Sequence, residues 1–469
     1  MSQGSGRFGP VTLTCLVVAG MIGAGVFTTS GFTIAALGSP ARVLAAWAIG
    51  GLIALCGAIS YAGLVRRIPE SGGEYIFLAR GMHPFFGFLA GWISLTAGFS
   101  GPVAISALTL EAYALPLGTT LLPPKGLALA VILLCGIGHA FQVNLSARLQ
   151  NLVVLLKVVV LVLISAMAAS VVRSHPWHWE SLESPPAGTW PVTVAFAQQL
   201  VWISLSYLGF NAAVYLASES RDPRRTVPSA VITGTVLVTV LYLLLNLIFV
   251  TAAPATTIAN QPDVARIAAA ALDTGGVEVA SLSAQPHAAA PQAAALPWWT
   301  SSFRLEGILR IAVILAMFTS VAGNVMAGPR VYSRMAGDGL FPRYFRSDDG
   351  HHPGAVLLQT ALAVVFVLSS SIAGLIDYLG TTLSLCSVLA VVTLFLPLRS
   401  PSRSTGEEPL SSGPGWACRI CAAVYASVTL VLILLKSIDA PDKLTWTGIT
   451  FGAGYLIWWV SGLYKTAGR

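Results

Sequence analysis

About twelve apolar stretches recur along this chain, each long enough to cross a bilayer, where roughly 20 apolar residues suffice. They lie near 11–37, 41–65, 84–114, 126–142, 146–172, 192–219, 227–251, 306–330, 355–374, 376–398, 416–435 and 444–464. Backbone polar groups in lipid must be satisfied internally, so such stretches become helices. Composition agrees. Of 469 residues, 55% are hydrophobic and 10% charged, whereas soluble domains carry about 25% charged residues. The predicted fold class is an all-α integral membrane protein of about twelve transmembrane helices.

The net charge of +7 would suggest nucleic acid in a soluble protein, but here its placement explains it. Arg66, Arg67, Arg80, Arg221, Arg224, Arg225, Arg330 and Arg334 fall in loops on one side, while the other side holds Arg42, Lys125, Arg173, Lys436 and Lys443. By the positive-inside rule the arginine-rich side and both termini are cytoplasmic, in a multi-pass protein of the cell membrane. No cleavable signal peptide is evident, since the first apolar run is too long for a signal core. Cys418 and Cys421 have the CxxC spacing without a second pair, so the six cysteines read as buried thiols and no metal site or cofactor is expected.

Two spans carry irregularities at mid-depth. The first holds Gly20-Met21-Ile22-Gly23-Ala24-Gly25, a poor sequence for an uninterrupted helix. Close packing between helices is one reason for such small residues. The other is a break whose freed backbone groups form a ligand site, since non-helical backbone at that depth must be buried or line a wet cavity. The sixth span holds Ser204-Leu205-Ser206-Tyr207-Leu208-Gly209-Phe210-Asn211. Paired interruptions five spans apart point to a transporter of inverted repeats. Between the seventh and eighth spans, 252–305 forms a long outer loop, with a short helix expected within 261–276. Its Ala/Pro-rich part, 277–297, reads as a flexible insert.

Four motifs give the chain a family resemblance. They are Gly23-Ala24-Gly25-Val26-Phe27; Pro69-Glu70-Ser71-Gly72-Gly73-Glu74-Tyr75; Gly209-Phe210-Asn211 leading to Glu219, Pro223 and Pro228; and Arg330 through Ala336, Asp338, Gly339 and Pro342. In this order and spacing the chain resembles the amino acid–polyamine–organocation permeases, in particular their neutral amino acid and LAT-like members. The resemblance implies a leucine-transporter-like fold. A ten-helix core would occupy 1–400, with inverted repeats at about 11–172 and 192–398 and broken helices 1 and 6. Two additional C-terminal spans would occupy 401–469.

An α-amino acid presents a carboxylate and an ammonium on one carbon, and a broken helix answers both. The half-helix N-terminus at Gly23, Ala24 and Gly25 would take the carboxylate through backbone N–H groups. Carbonyls of Ile22 and of Leu205, Ser206, Tyr207 and Leu208 would take the ammonium. The resemblance places Ala97 and Gly98 of the third span against the substrate side chain, and the lack of an acidic neighbour favours neutral substrates. Glu111 is expected near the outer end of the same span, partly solvated. Relatives carry an aromatic lid where this chain has Leu205, which leaves Trp202 or Tyr207 to close the pocket. Glu219 and Asp338 are candidates for an inner gate.

Lys157 stands well inside the fifth span, where a lysine costs about 2.5 kcal/mol or more, so it is expected to function. In related permeases such a lysine occupies the place of sodium, and Thr319 and Ser320 could hydrogen-bond it here. No catalytic residues are expected. The leading reading is a sodium-independent carrier of neutral L-amino acids working by alternating access, as an exchanger or a proton-coupled symporter. The alternatives are a cationic amino acid or polyamine carrier and a non-transporting sensor of the same fold. The loop 115–126 has no cysteine, so no disulfide-linked heavy chain is expected.

Overall fold

The structure is a computed structural model that describes residues 8–115, 123–141, 177–182, 189–274, 305–346, 353–397, 415–439 and 444–461, with positions 159, 162 and 166. Lys157 and the insert 277–297 lie outside the described residues. Among the described residues the regular elements are helices, with one isolated bridge between Phe8 and Ser220. Among the described residues eight helices are long and apolar enough to cross a membrane, and Gly126–Ala140 and Pro353–Ser369 are shorter apolar helices.

The first span is two helices, α1 (Pro10–Met21) and α2 (Ala24–Leu37). Pro10 starts α1 with a φ already suited to a helix. The chain leaves helical geometry at Ile22 (φ −73°, ψ 87°) and Gly23 (φ −124°, ψ −161°), then restarts. Gly38 ends α2 in the left-handed region at φ 68°. Helix α3 (Pro40–Arg67) forms the second span. Its Arg67 guanidinium donates to the carbonyls of Thr393, Leu394 and Leu396, satisfying the end of the tenth span.

A short helix, α4 (Glu74–Gly81), precedes the third span. That span runs as α5 (Pro84–Ile93), a π-helical segment (Ser94–Ser100) and α6 (Gly101–Ala114). Pro102 has no N–H and its ring crowds the carbonyl four residues earlier, at Gly98, which accounts for the widened turn there. After α7 (Gly126–Phe141), the sixth span is α8 (Thr189–Tyr207) followed without a gap by a 3-10 helix (Leu208–Glu219). Over the expected break, Ser204–Asn211, the chain changes pitch without unwinding, and it leaves helical geometry further on, at Leu216 (φ −114°, ψ 19°). Runs of 3-10 helix beyond a few residues are uncommon and mark hinges or strain.

The pitch change lies where the two irregular spans touch. A Cβ on Gly209 would lie 2.1 Å from both the carbonyl carbon and the oxygen of Gly20, and 2.4 Å from Met21 N. Backbone thus packs on backbone. At the other end of the same pair, Phe8 N–H donates to the Glu219 carbonyl at 3.3 Å.

The seventh span is α9 (Pro223–Thr251), followed by α10 (Ala255–Ile258) and α11 (Val264–Thr274). Helix α11 lies within the expected 261–276 and is docked on the bundle: Ala265 N–H meets the Tyr113 hydroxyl, and Arg266 pairs with Asp263 and Glu306. The remaining spans are α12 (Leu305–Gly337), α13 (Pro353–Ser369), α14 (Ile372–Val392) and α15 (Trp416–Asp439), with α16 (Thr445–Val460) where the twelfth is expected.

Candidate functional site

The break at Ile22–Gly23 leaves the first N–H groups of α2 without an intrahelical partner, and no side chain caps them. Donors and the positive dipole end there suit a carboxylate. Gly23 and Gly25 are half-buried within a buried segment, and a Cβ on Gly23 would meet only the Met21 carbonyl, at 3.9 Å. Ser206 packs on Gly25. A Cβ on Gly25 would lie 2.2 Å from its Oγ. That hydroxyl is buried and has no hydrogen-bond partner among the described residues, so the geometry adds a hydroxyl to the backbone seat.

The carbonyl side is organised by a residue that sequence reading misses. Tyr242 of α9 is fully buried, and its hydroxyl reaches the Met21 carbonyl at 2.5 Å and the Ser206 carbonyl at 3.1 Å. Its one proton is shared between a carbonyl of the first span, next to the break, and a carbonyl of the sixth. One turn on, Asn246 donates to the Tyr242 carbonyl and accepts from Ser30. The Tyr242-to-Asn246 spacing is the available sequence signal: polar tips one turn apart in an otherwise apolar helix.

Ala97 and Gly98 lie in the π segment, a feature that recurs at functional sites. A Cβ on Gly98 would meet Ser94 and the Ile93 carbonyl of its own span at 3.6–3.8 Å, so a small side chain would fit there, and Gly98 is half-buried. Ala97 is fully buried. Glu111 is engaged elsewhere: it accepts from the N–H groups of Lys125 and Ala128 and caps α7. Leu205 and Leu208 are half-buried.

Of the two aromatic lid candidates, the structure separates them. Tyr207 is turned away, its hydroxyl on the Trp47 carbonyl at 3.1 Å and its ring against Trp47 and Tyr242. In this structure Tyr207 points at the second and seventh spans. Trp202 lies edge-on to Phe32 of α2, ring centroids 5.8 Å apart.

At the arginine-rich end, the loop before the third span straps the bundle. Glu74 is buried and accepts from Tyr61 (2.8 Å), Asn211 (2.6 Å) and Tyr215 (2.6 Å). Ser71 and Ser218 meet at 2.5 Å. On the strap's other side, Asp338 accepts from Tyr75 (2.6 Å) and Arg334 (3.2 Å), while Glu70 pairs with Arg80 and Arg334. Burial, then the charge of Asp338, pushes the Tyr75 hydroxyl well up, so it stays a donor. Asp338 thus enters this network. Glu219 stands outside it: its carbonyl accepts from Phe8, and its carboxylate makes no hydrogen bond or ion pair among the described residues. Glu74 is the acid at the centre of this network, and its place in the Pro69–Tyr75 motif is the signal that points to it.

In the eighth span, Thr319 bonds its own helix at Ala316, and Ser320 accepts from Ser106 at 3.1 Å. Whether they meet Lys157 lies outside the described residues. No group of His, Cys, Asp and Glu among the described residues could hold a metal ion.

Residues 8–459 match the family profile described as "Amino acid permease". The chain is 28% identical over 390 residues to the mouse (Mus musculus) "Large neutral amino acids transporter small subunit 2", covering 80% of this chain and 67% of that protein. It is 26% identical over 437 residues to mouse "Solute carrier family 7 member 13", covering 91% and 84% of the two chains. To mouse "b(0,+)-type amino acid transporter 1" it is 30% identical over 258 residues, 54% of this chain and 52% of that one.

Proposed function

This chain belongs to the amino acid permease family, and we propose that within it the protein is a sodium-independent carrier of neutral L-amino acids. It works by alternating access, as an exchanger or a proton-coupled symporter. The observation that carries this reading is the uncapped N-terminus of α2 facing the unpartnered Ser206 hydroxyl. That seat fits the carboxylate of an amino acid, and the carbonyls held by Tyr242 lie beside it for the ammonium. The substrate side chain then lies along Gly98. Neutral substrates are favoured because the inward acids are engaged elsewhere: Glu74 holds the strap, Asp263 pairs with Arg266, Asp377 pairs with Lys436, and the half-buried Glu111 caps α7.

The proposed architecture is a leucine-transporter-like core over 1–400 with repeats at about 11–172 and 192–398, and the arginine-rich end and both termini in the cytoplasm. Lys157, near Thr319 and Ser320, serves as the resident cation in place of sodium. With no cysteine in 115–126, the carrier forms no disulfide to a heavy chain.

Uptake of a labelled amino acid panel into proteoliposomes tests the substrate class. Gly98→Trp is expected to lower leucine and phenylalanine uptake about tenfold or more while alanine uptake changes little, because overpacking costs about 1–3 kcal/mol. Equal loss for alanine and phenylalanine would remove Gly98 from the pocket, and uptake confined to arginine, lysine or polyamines would overturn the neutral assignment.

Coupling is tested separately. Replacing sodium with choline should leave uptake unchanged, and Lys157→Ala should reduce it about tenfold or more, or alter its inside–outside asymmetry, as expected for an intramembrane charge that is seldom idle. Acceleration by internal substrate identifies exchange; acceleration by an imposed proton gradient identifies symport. Strict sodium dependence, or an indifferent Lys157→Ala variant, defeats the cation assignment.

A further inference from the structure

Among the described residues the most deeply buried ion pair joins Asp377 of α14 to Lys436 of α15, with Nζ and Oδ1 2.7 Å apart. Hydropathy places Lys436 in a loop at the arginine-poor end; the structure places it inside the bundle, 1% exposed. Burying such a pair is weak evidence for stability, since well-packed apolar residues often serve a fold as well or better. A charge at membrane depth is by default a functional residue.

The contacts say which function. The same Asp377 Oδ1 accepts the Trp202 indole N–H at 2.9 Å. Lys436 Nζ also donates to Thr381 Oγ1 at 2.5 Å and to the Asp377 carbonyl at 3.3 Å, so the ammonium is fixed to one turn of α14. Trp202 lies one turn before Ser206 on α8 and meets Phe32 on α2. The indole therefore stands on the arginine-poor side of the seat, where α2, α8 and α14 converge.

We propose that Asp377 and Lys436 are positioning residues for a gate: their ion pair holds the Trp202 indole across the route to the seat, and the arginine-poor end opens when the indole leaves Asp377. The lysine anchors the carboxylate to α14 and α15, so the acceptor stays behind when α8 moves. A charge-assisted bond is stronger than a neutral one, which gives the closed position its preference. The proposal rests on the seat described above, with α2 and Ser206 at its centre.

The test is a cysteine at Gly98, with the six native cysteines replaced, labelled by a membrane-impermeant thiol reagent in sealed vesicles of each orientation. Trp202→Phe keeps the ring and leaves the ion pair alone, so folding is not at issue. It should raise labelling from the arginine-poor side about tenfold, the factor that corresponds to roughly 1.4 kcal/mol, without raising labelling from the other side. Lys436→Met should give the same one-sided rise, and combining it with Trp202→Phe should add nothing further. Unchanged labelling in Trp202→Phe overturns the gate. Equal rises from both sides in Lys436→Met, or additive effects in the combination, reduce the ion pair to a structural contact. The readout needs no substrate, so a failed amino acid panel together with one-sided labelling would reject the substrate class and leave the gate standing.

Discussion

Replacing Gly209 with alanine is expected to abolish transport and to lower the melting temperature of the purified protein. The added carbon would lie 2.1 Å from two backbone atoms of Gly20 and 2.4 Å from Met21 N. No rotamer change relieves that contact, because every atom involved is main chain. The first and sixth spans must separate, and the separation falls one residue from the break that forms the seat. Overpacking of a core costs about 1–3 kcal/mol and occasionally more, and a clash on backbone belongs at the upper end. Gly20→Ala is the graded comparison: its Cβ would meet Ala212 Cβ at 2.9 Å and the Gly209 oxygen at 3.0 Å, a milder conflict. Gly448→Ala, with nothing within 4 Å, is the control. Wild-type uptake by Gly209→Ala would show that the two spans do not meet as described.

Glu74→Gln is expected to cut transport about tenfold or more while substrate binding survives. The carboxylate accepts from Tyr61, Asn211 and Tyr215. A glutamine replaces one acceptor oxygen with a donor, so at least one of these groups loses its partner and faces an N–H. Hydrogen bonds to charged groups contribute about 1.5–3 kcal/mol each, enough to shift a closed end towards open by the stated factor. The seat itself, built from α2 backbone and Ser206, is untouched. Thermal stabilisation by substrate should therefore persist in Glu74→Gln while counterflow falls. Undiminished counterflow would remove the strap from the transport cycle.

The break at Ile22–Gly23 is partly legible because glycines disfavour a helix interior, but close packing excuses them equally well, and Gly20 and Gly25 are in fact close-packed against the sixth span. The changes of pitch are less legible. Pro102 is visible, but whether its effect becomes a kink or a widened turn is decided by what packs around Gly98. The 3-10 helix over Leu208–Glu219 has no propensity signature, and it forms where Gly209 is pressed against Gly20. The choice of lid is a question of rotation. Trp202 and Tyr207 are five residues apart, about 140° around a helix, and composition does not say which side the pocket occupies. Lys436 misleads hydropathy because a charge near the end of an apolar run is ordinarily read as its exit into water. Tyr242 hides for the opposite reason: a tyrosine in an apolar helix looks like packing until its hydroxyl is traced to two carbonyls.

The pairing of α1 with the 3-10 helix has a mechanical consequence. The two are pinned near both ends, by Gly20 against Gly209 and by Phe8 against Glu219 and Ser220. Main chain resting on main chain leaves no side-chain layer to absorb a displacement, so the pair behaves as one stiff lever. Its pivots are Ile22–Gly23 and Tyr207–Leu208, with a further bend at Leu216 inside the 3-10 segment. A substrate at the proposed seat beside the break sits next to these pivots, where a shift of a fraction of an ångström becomes a sweep of the lever's far end at the arginine-rich face.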